Sequence, residues 1–326
     1  MKLIIPMAGK SPRLKPHTQN RPKELLELAG KPIIGHLLES VSKLRVDTVI
    51  FIVDEDKPTL KKYISDNYSF EAKYILQKER KGVGHAIYGA KKYVDDDEVV
   101  IIFADTIISA DLKKMGRGSA DGIIWTKKVE DPRNYGVVFE HEGKITRLIE
   151  KPETPVSDQA IVGLYQFRNG KGLFEALKYL ITNDIKTKEE YQLTDALQIM
   201  INKKFTLISK EVEIWKDLES PEALIETNNY LLKKLNKKYS APANCVVVPP
   251  VFIGEGTKIY NSIIGPNVSI GKNARINNSI IKNSIIKSGA EISDSNLEEC
   301  IIGKKTRVED TPKKLNIGDS SEVQFA

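Results

Sequence analysis

The chain has 326 residues, 40% hydrophobic and 29% charged, with 50 basic against 44 acidic side chains for a net charge of +6. That length allows two domains and a large core, and the basic residues form no long run, so nucleic acid is not implied and small anionic substrates fit equally well. The two cysteines, Cys245 and Cys300, lack any paired spacing, which argues against a disulfide framework or zinc site. The opening apolar run is broken too soon by Pro6 for a signal peptide or membrane span, so a soluble cytoplasmic protein with no membrane partner is expected.

In chain order, Leu3–Pro6 is a short apolar run of the kind that forms a buried parallel strand. A loop follows at Gly9-Lys10-Ser11-Pro12-Arg13, and Lys10, Arg13, Lys15, Arg21 and Lys23 arrive before any acid, the first being Glu24. A glycine-bearing loop after a first strand, loaded with cations, suits a polyphosphate, although a solvated basic surface uses the same residues. Gly9-Lys10-Ser11 does not end a P-loop. That pattern needs a glycine where Ile4 stands inside the strand, and Pro12 removes a donor where its helix should begin. Helices are expected over Pro32–Leu44, Thr59–Asn67 and Gly84–Tyr93, and strands over Thr48–Val53, Lys73–Leu76 and Val99–Ala104. This alternation predicts an α/β fold whose open, Rossmann-like sheet is mostly parallel, covered by helices, and binds ligands at the carboxyl ends of its strands.

Two further stretches fall at such ends. Gln77-Lys78-Glu79-Arg80-Lys81-Gly82-Val83-Gly84-His85-Ala86 is a loop with two glycines leading into a helix, and Asp105 ends the strand before it. Each also reads as an ordinary turn. From Gly122 the pattern becomes mixed, with strands expected over Gly122–Lys127, Gly136–Glu140, Lys144–Glu150 and Ala160–Arg168 and a hairpin at Gly143. Ser220-Pro221 reads as N-cap and first residue of a helix ending at Leu235.

After Lys238 the composition changes. Apolar residues recur at intervals of six or five from Ile253 through Ile259, Ile264, Ile270, Ile276, Ile281, Ile286 and Ile292 to Val308, with Ile-Gly steps at Ile253, Ile264, Ile270 and Ile302. Such short strands cannot bury their isoleucines singly, so stacked coils must share one core, as in a left-handed parallel β-helix of hexapeptide repeats. The expected organisation is a domain over residues 1–238, a linker over 239–245 and a β-helix over 246–326. Hexapeptide helices also raise acyl transfer, which is disfavoured because none of the four histidines lies beyond His141. The β-helix is expected instead to serve assembly of a homo-oligomer or regulation.

The opening stretch Ala8-Gly9-Lys10-Ser11-Pro12-Arg13-Leu14-Lys15-Pro16-His17-Thr18 with Arg21-Pro22-Lys23-Glu24-Leu25 resembles the signature of sugar-phosphate nucleotidyltransferases, whose loose form is A-G-x-G-x-R-L-x-P-x-T-x-x-x-P-K-x-L. Asp131-Pro132-Arg133-Asn134-Tyr135-Gly136-Val137, Glu150-Lys151-Pro152, Ala160-Ile161-Val162-Gly163, Glu190-Tyr191-Gln192-Leu193-Thr194-Asp195 and Trp215-Lys216-Asp217 resemble later segments in the family's order. The resemblance implies transfer from UTP or dTTP to a sugar 1-phosphate, glucose 1-phosphate favoured, with Mg2+ as cofactor and pyrophosphate as the leaving product. It implies Arg13 and Lys23 as the catalytic cations and Asp105 and Asp217 as magnesium ligands. Ala8, Gly9, Gln77 and Gly82 would meet the nucleotide; an amide such as that of Gln77 offers both a donor and an acceptor to uracil or thymine. Tyr135, Gly136, Glu150, Lys151 and Val162 would border the sugar phosphate, and Asp195 would cap a helix. Ser11, Pro12 and Glu219 depart from the pattern, Glu219 standing for a glycine. They motivate an alternative, a relative that senses nucleotide or nucleotide sugar without turnover.

Overall fold

The computed structural model describes residues 1–9, 11–19, 21–94, 96–112, 120–235, 237 and 239–310. Lys10 of the basic loop, Lys238 and residues 311–326 of the expected β-helix lie outside them. The chain divides into two compact units, one made of Met1–Leu26 with Lys31–Ala223, the other of Glu27–Gly30 with the chain from Leu224 onward.

The first unit is built on a mixed sheet of nine strands among the described residues. Its parallel half comprises β1 (Lys2–Met7), β2 (Thr48–Val53), β3 (Glu71–Leu76) and β4 (Val99–Ile102), interleaved with helices α1 (Ile33–Ser40), α2 (Pro58–Asn67) and α3 (Val83–Tyr88). The antiparallel half adds β6 (Gly122–Lys128), β7 (Gly136–His141), β8 (Lys144–Glu150) and β9 (Gln159–Phe167), while β10 (Leu207–Glu211) runs parallel to β6. The order is β8-β7-β9-β4-β1-β2-β3, with β6 on β9 and β10 on β6.

The sheet strands read as unbroken apolar runs because both faces are covered. Along β2, Ile50 and Ile52 point into one core while Val49, Phe51 and Val53 point into the other. Along β1, Ile4 points one way and Leu3, Ile5 and Met7 the opposite way. Period-two alternation therefore survives in space where the sequence shows none.

The expected elements form, with shifted ends. α1 stops at Ser40 rather than Leu44, yet Val41 and Leu44 stay buried, so the apolar spacing continues through turns after the helical bonds end. α3 stops at Tyr88, where the Gly89 N–H bonds Ala86 O as well as His85 O and tightens the chain toward a single 3₁₀ turn at Lys91–Tyr93. Helix α5 (Leu193–Asn202) begins within the segment expected to start a helix, whereas helix α4 (Gly170–Thr182) and the two-stranded ladder of β5 (Thr106–Ser109) with β11 (Ile214–Asp217) were not anticipated. Each member of that ladder is four residues long, too short for a periodic signal. Helix α6 (Pro221–Leu235) starts as expected, with the Ser220 hydroxyl accepting the Ala223 N–H at 3.2 Å.

In the second unit, short strands stack into three parallel ladders, such as Val251–Ile253 on Val268–Ile270, which form the faces of a β-helix. Ile259 stacks on Ile276 and Ile276 on Ile292, so coils take seventeen or sixteen residues. The shortened repeats turn at residues in the left-handed region, among them Asn267, Asn273, Asn278 and Asn283, a residue type that tolerates it. Isoleucines fill the interior, and buried serines tie successive coils, as where Ser279 N donates to Ser262 Oγ at 3.0 Å. Among the described residues no helix is long and apolar enough to cross a membrane.

Candidate active site

A cleft of about 840 Å³ opens in the first unit at the carboxyl ends of β1 and β4. It is lined by Ala8, Gly9 and Arg13 of the basic loop, by Gln77 and Gly82 after β3, and by Asp105 and Asp217. Tyr135, Gly136, Glu150, Lys151 and Val162 complete the opposite wall. Lys23 is the one predicted site residue that does not line the cleft; it lies behind Asp105, with its Nζ 3.2 Å from the carboxylate and its side chain 10% exposed.

Each wall is positioned by local chemistry. Arg13 stands in one 3₁₀ turn, Pro12–Leu14, with Pro12 in the first position, where a missing N–H leaves no bond unmade, and Leu14 buried as anchor. A Cβ added to Gly9 would meet nothing within 4 Å, so no protein neighbour requires a glycine there. What it leaves is open space beside the cleft, suited to close approach by a ligand.

The Gln77–Gly82 loop is fixed from behind. Gly84 N donates to Tyr191 O at 2.8 Å and Tyr191 N to Lys81 O at 2.9 Å. Gly82 has φ +100° and a Cβ there would fall 2.7 Å from Tyr191 O, so this position needs glycine for both conformation and space. The Gln77 amide donates to Gly82 O at 3.3 Å, which orients its carbonyl.

The acidic side depends on the β5–β11 ladder, in which Asp217 pairs with Thr106 and Leu218 N donates to Asp105 O at 2.9 Å. The ladder brings together two carboxylates 112 positions apart. Burial, then the charges of Glu219 and Asp105, push the Asp217 carboxyl up to about 7, against the pull of Lys23 and the Tyr135 hydroxyl at 3.4 Å. Tyr135 is itself held edge-on to Trp215, with ring centroids 4.8 Å apart. Two crowded carboxylates and no nitrogen or sulfur donor form a set that suits a hard divalent cation completing its shell with phosphate and water. Among the described residues no cluster of three or more histidine, cysteine, aspartate or glutamate side chains is arranged to hold a metal alone.

On the wall that carries Tyr135 and Glu150, Thr194 Oγ1 donates to Glu150 Oε2 at 2.7 Å, while burial pushes that carboxyl above its usual range. Lys151 takes a left-handed φ of 44°, and its carbonyl accepts from Lys188 Nζ at 2.7 Å. Lys188 and Glu189 are both left-handed as well, a conformation costly for side-chain-bearing residues and typical of sites whose surroundings over-determine them. Sequence reasoning quoted the Glu190–Asp195 segment without singling out Thr194, and it missed Lys188, which no motif marks. It also missed Arg80, which lines the cleft and donates to Asp54 at 2.8 Å. Asp54 is in turn 3.2 Å from the buried Lys57 ammonium. Asp195 does not cap α5: it is the helix's third residue, and the cap position belongs to Gln192.

A family model described as Nucleotidyl transferase matches residues 2–234. The bifunctional protein GlmU of Methanocaldococcus jannaschii is 36% identical over 259 residues, which cover 78% of this chain and 61% of that protein; the chain thus spans about three fifths of the length of such relatives. The glucose-1-phosphate thymidylyltransferase of Streptomyces antibioticus is 28% identical over 337 residues, covering 100% of this chain and 86% of that one. Among solved structures, a UDP-glucose pyrophosphorylase complexed with UDP-glucose superposes with a TM-score of 0.58 at 25% identity, over 72% of this chain and 98% of the other. With the matched region covering the whole sheet and every residue that lines the cleft, the chain belongs to the nucleotidyl transferase family.

Proposed function

We propose that the chain joins a pyrimidine nucleoside triphosphate, UTP or dTTP, to a sugar 1-phosphate, with glucose 1-phosphate the favoured acceptor, and releases pyrophosphate. The observation that carries this reading is the convergence of Asp105 and Asp217 opposite Arg13 in one cleft, with the Gln77–Gly82 loop and Glu150 also lining it.

A phosphate oxygen of the sugar 1-phosphate attacks the α-phosphorus in line. The bond to the β-phosphate oxygen breaks, and no side-chain nucleophile is required, because positioning and charge neutralisation supply the rate. Gln77 and the backbone at Gly82 read the base edge, and Ala8 and Gly9 let the phosphates approach the loop. Glu150, kept in place by Thr194, accepts sugar hydroxyls, and Lys151 with Lys188 neutralises the sugar phosphate. Lys23 balances charge at the α-phosphate, and Arg13 meets the charge that builds on the departing pyrophosphate. Asp105 and Asp217 would hold Mg2+, which when bound neutralises phosphate charge and orients the triphosphate. The β-helix serves assembly into a homo-oligomer.

The test is pyrophosphate release from UTP and from dTTP with a panel of sugar 1-phosphates. Magnesium-dependent release matched by formation of a nucleotide sugar is expected. Tight triphosphate binding with no release under any pairing would replace the reading with the sensing one.

A further inference from the structure

One charged contact at the cleft is not required by transfer chemistry. Arg13 Nη2 donates to Glu219 Oε2, pairing the basic loop with the residue two places past Asp217. Both side chains line the cleft, and both stay partly open to water, at 67% and 44% exposure. An arginine fork can grip a carboxylate or a phosphate in the same plane, but it cannot serve both at full strength. Glu219 also lines the same cleft as Asp105 and Asp217, two places past the latter in the chain. While Arg13 faces Glu219, that third negative charge is compensated. Once Arg13 turns to a phosphate, it is left beside Asp105 and Asp217.

We propose that Glu219 is a built-in counter-ion that holds Arg13 off the phosphate subsite until a nucleoside triphosphate displaces it, and that the freed carboxylate then strengthens the acidic pair's hold on a divalent cation. This inference rests on the transfer reading for the identity of the incoming ligand. The exchange weakens triphosphate binding when no cation is present and strengthens cation binding once the triphosphate is seated. Such a coupling is necessarily reciprocal. An exposed ion pair limits its size to about two- to fivefold in affinity. It also gives a physical role to the glutamate that stands where the family signature has glycine.

The test is a double-mutant cycle on the full chain. UTP and dTTP are titrated calorimetrically, in EDTA and without sugar phosphate so that nothing turns over, into the unaltered protein, Glu219→Gln, Arg13→Gln and the double variant. Glu219→Gln is expected to bind about two- to fivefold tighter, and the gain is expected to vanish when Arg13 is already glutamine. With magnesium in place of EDTA the gain should shrink, because the substituted site lacks the third carboxylate. An equal gain in both backgrounds would overturn the proposal by showing that Glu219 acts as diffuse charge, not through Arg13. Weaker binding by Glu219→Gln would overturn it too, by showing that Glu219 holds Arg13 in its productive place. No saturable binding of either triphosphate to the unaltered chain would instead overturn the transfer reading itself.

Discussion

The two units bury different things. Inside the β-helix the buried polar groups are serines, and isoleucine and valine fill nearly everything else. In the sheet unit a glutamate and a lysine are buried, Glu24 at 3% and Lys57 at 7% exposure, 3.7 Å apart. Burial pushes the Glu24 carboxyl up despite Lys57. Burying charge costs stability, so it is expected where function rather than packing sets the sequence. One unit buries uncharged groups, while the other gives up stability to keep an ion pair inside its core.

The largest effect that would test this contrast lies in the scaffold. Ile276→Ala removes a side chain with 1% exposure from the β-helix core and should cost about 2–5 kcal/mol in that unit's unfolding, with kcat unchanged in protein that remains folded. Denaturant unfolding and steady-state kinetics together measure it. A comparable fall in kcat would erase the contrast.

Next comes the acidic pair. Asp217→Ala or Asp105→Ala should lower magnesium-dependent pyrophosphate release by about a hundredfold or more, roughly 3 kcal/mol of lost transition-state stabilisation, with the fold unchanged by circular dichroism. Lys188→Ala should then raise KM for the sugar 1-phosphate by about tenfold while KM for the triphosphate holds, as for loss of one charge-assisted bond.

A further effect, on stability and not on turnover, is pH dependence. Asp217, with its carboxyl raised from 3.8 to about 7, keeps in the folded cation-free protein a proton that the unfolded chain has already released. Its contribution to stability is therefore lost as pH rises from about 4 to about 7 and changes no further above that. Thermal unfolding in EDTA should show this fall between pH 5 and 7, and magnesium, which favours the ionised form, should reverse it.

How far all this was legible follows the same division. The β-helix could be read from its isoleucine spacing, because one residue type repeats wherever the interior is reached. Leu3 to Pro6 announced the first strand, although which residues face which core appears only once helices cover both sides. Gln77, Glu150 and Asp105 were legible because they sit in motifs at strand ends. Lys188 was not, since its bond to the Lys151 carbonyl depends on left-handed residues in loops far apart in sequence, Lys151 on one side and Lys188 and Glu189 on the other. Nor was the partner of Arg13, which lies 206 residues away and is set by a four-residue ladder that no local pattern announces.

The most direct measurement is Mn2+ binding in the presence of UTP or dTTP, followed by electron paramagnetic resonance, for the unaltered chain and for Asp105→Ala and Asp217→Ala. One tight site that both substitutions weaken by tenfold or more, against the free nucleotide's own affinity, is the expected result. Equal affinity in all three proteins would show that the two carboxylates share a cleft without sharing an ion.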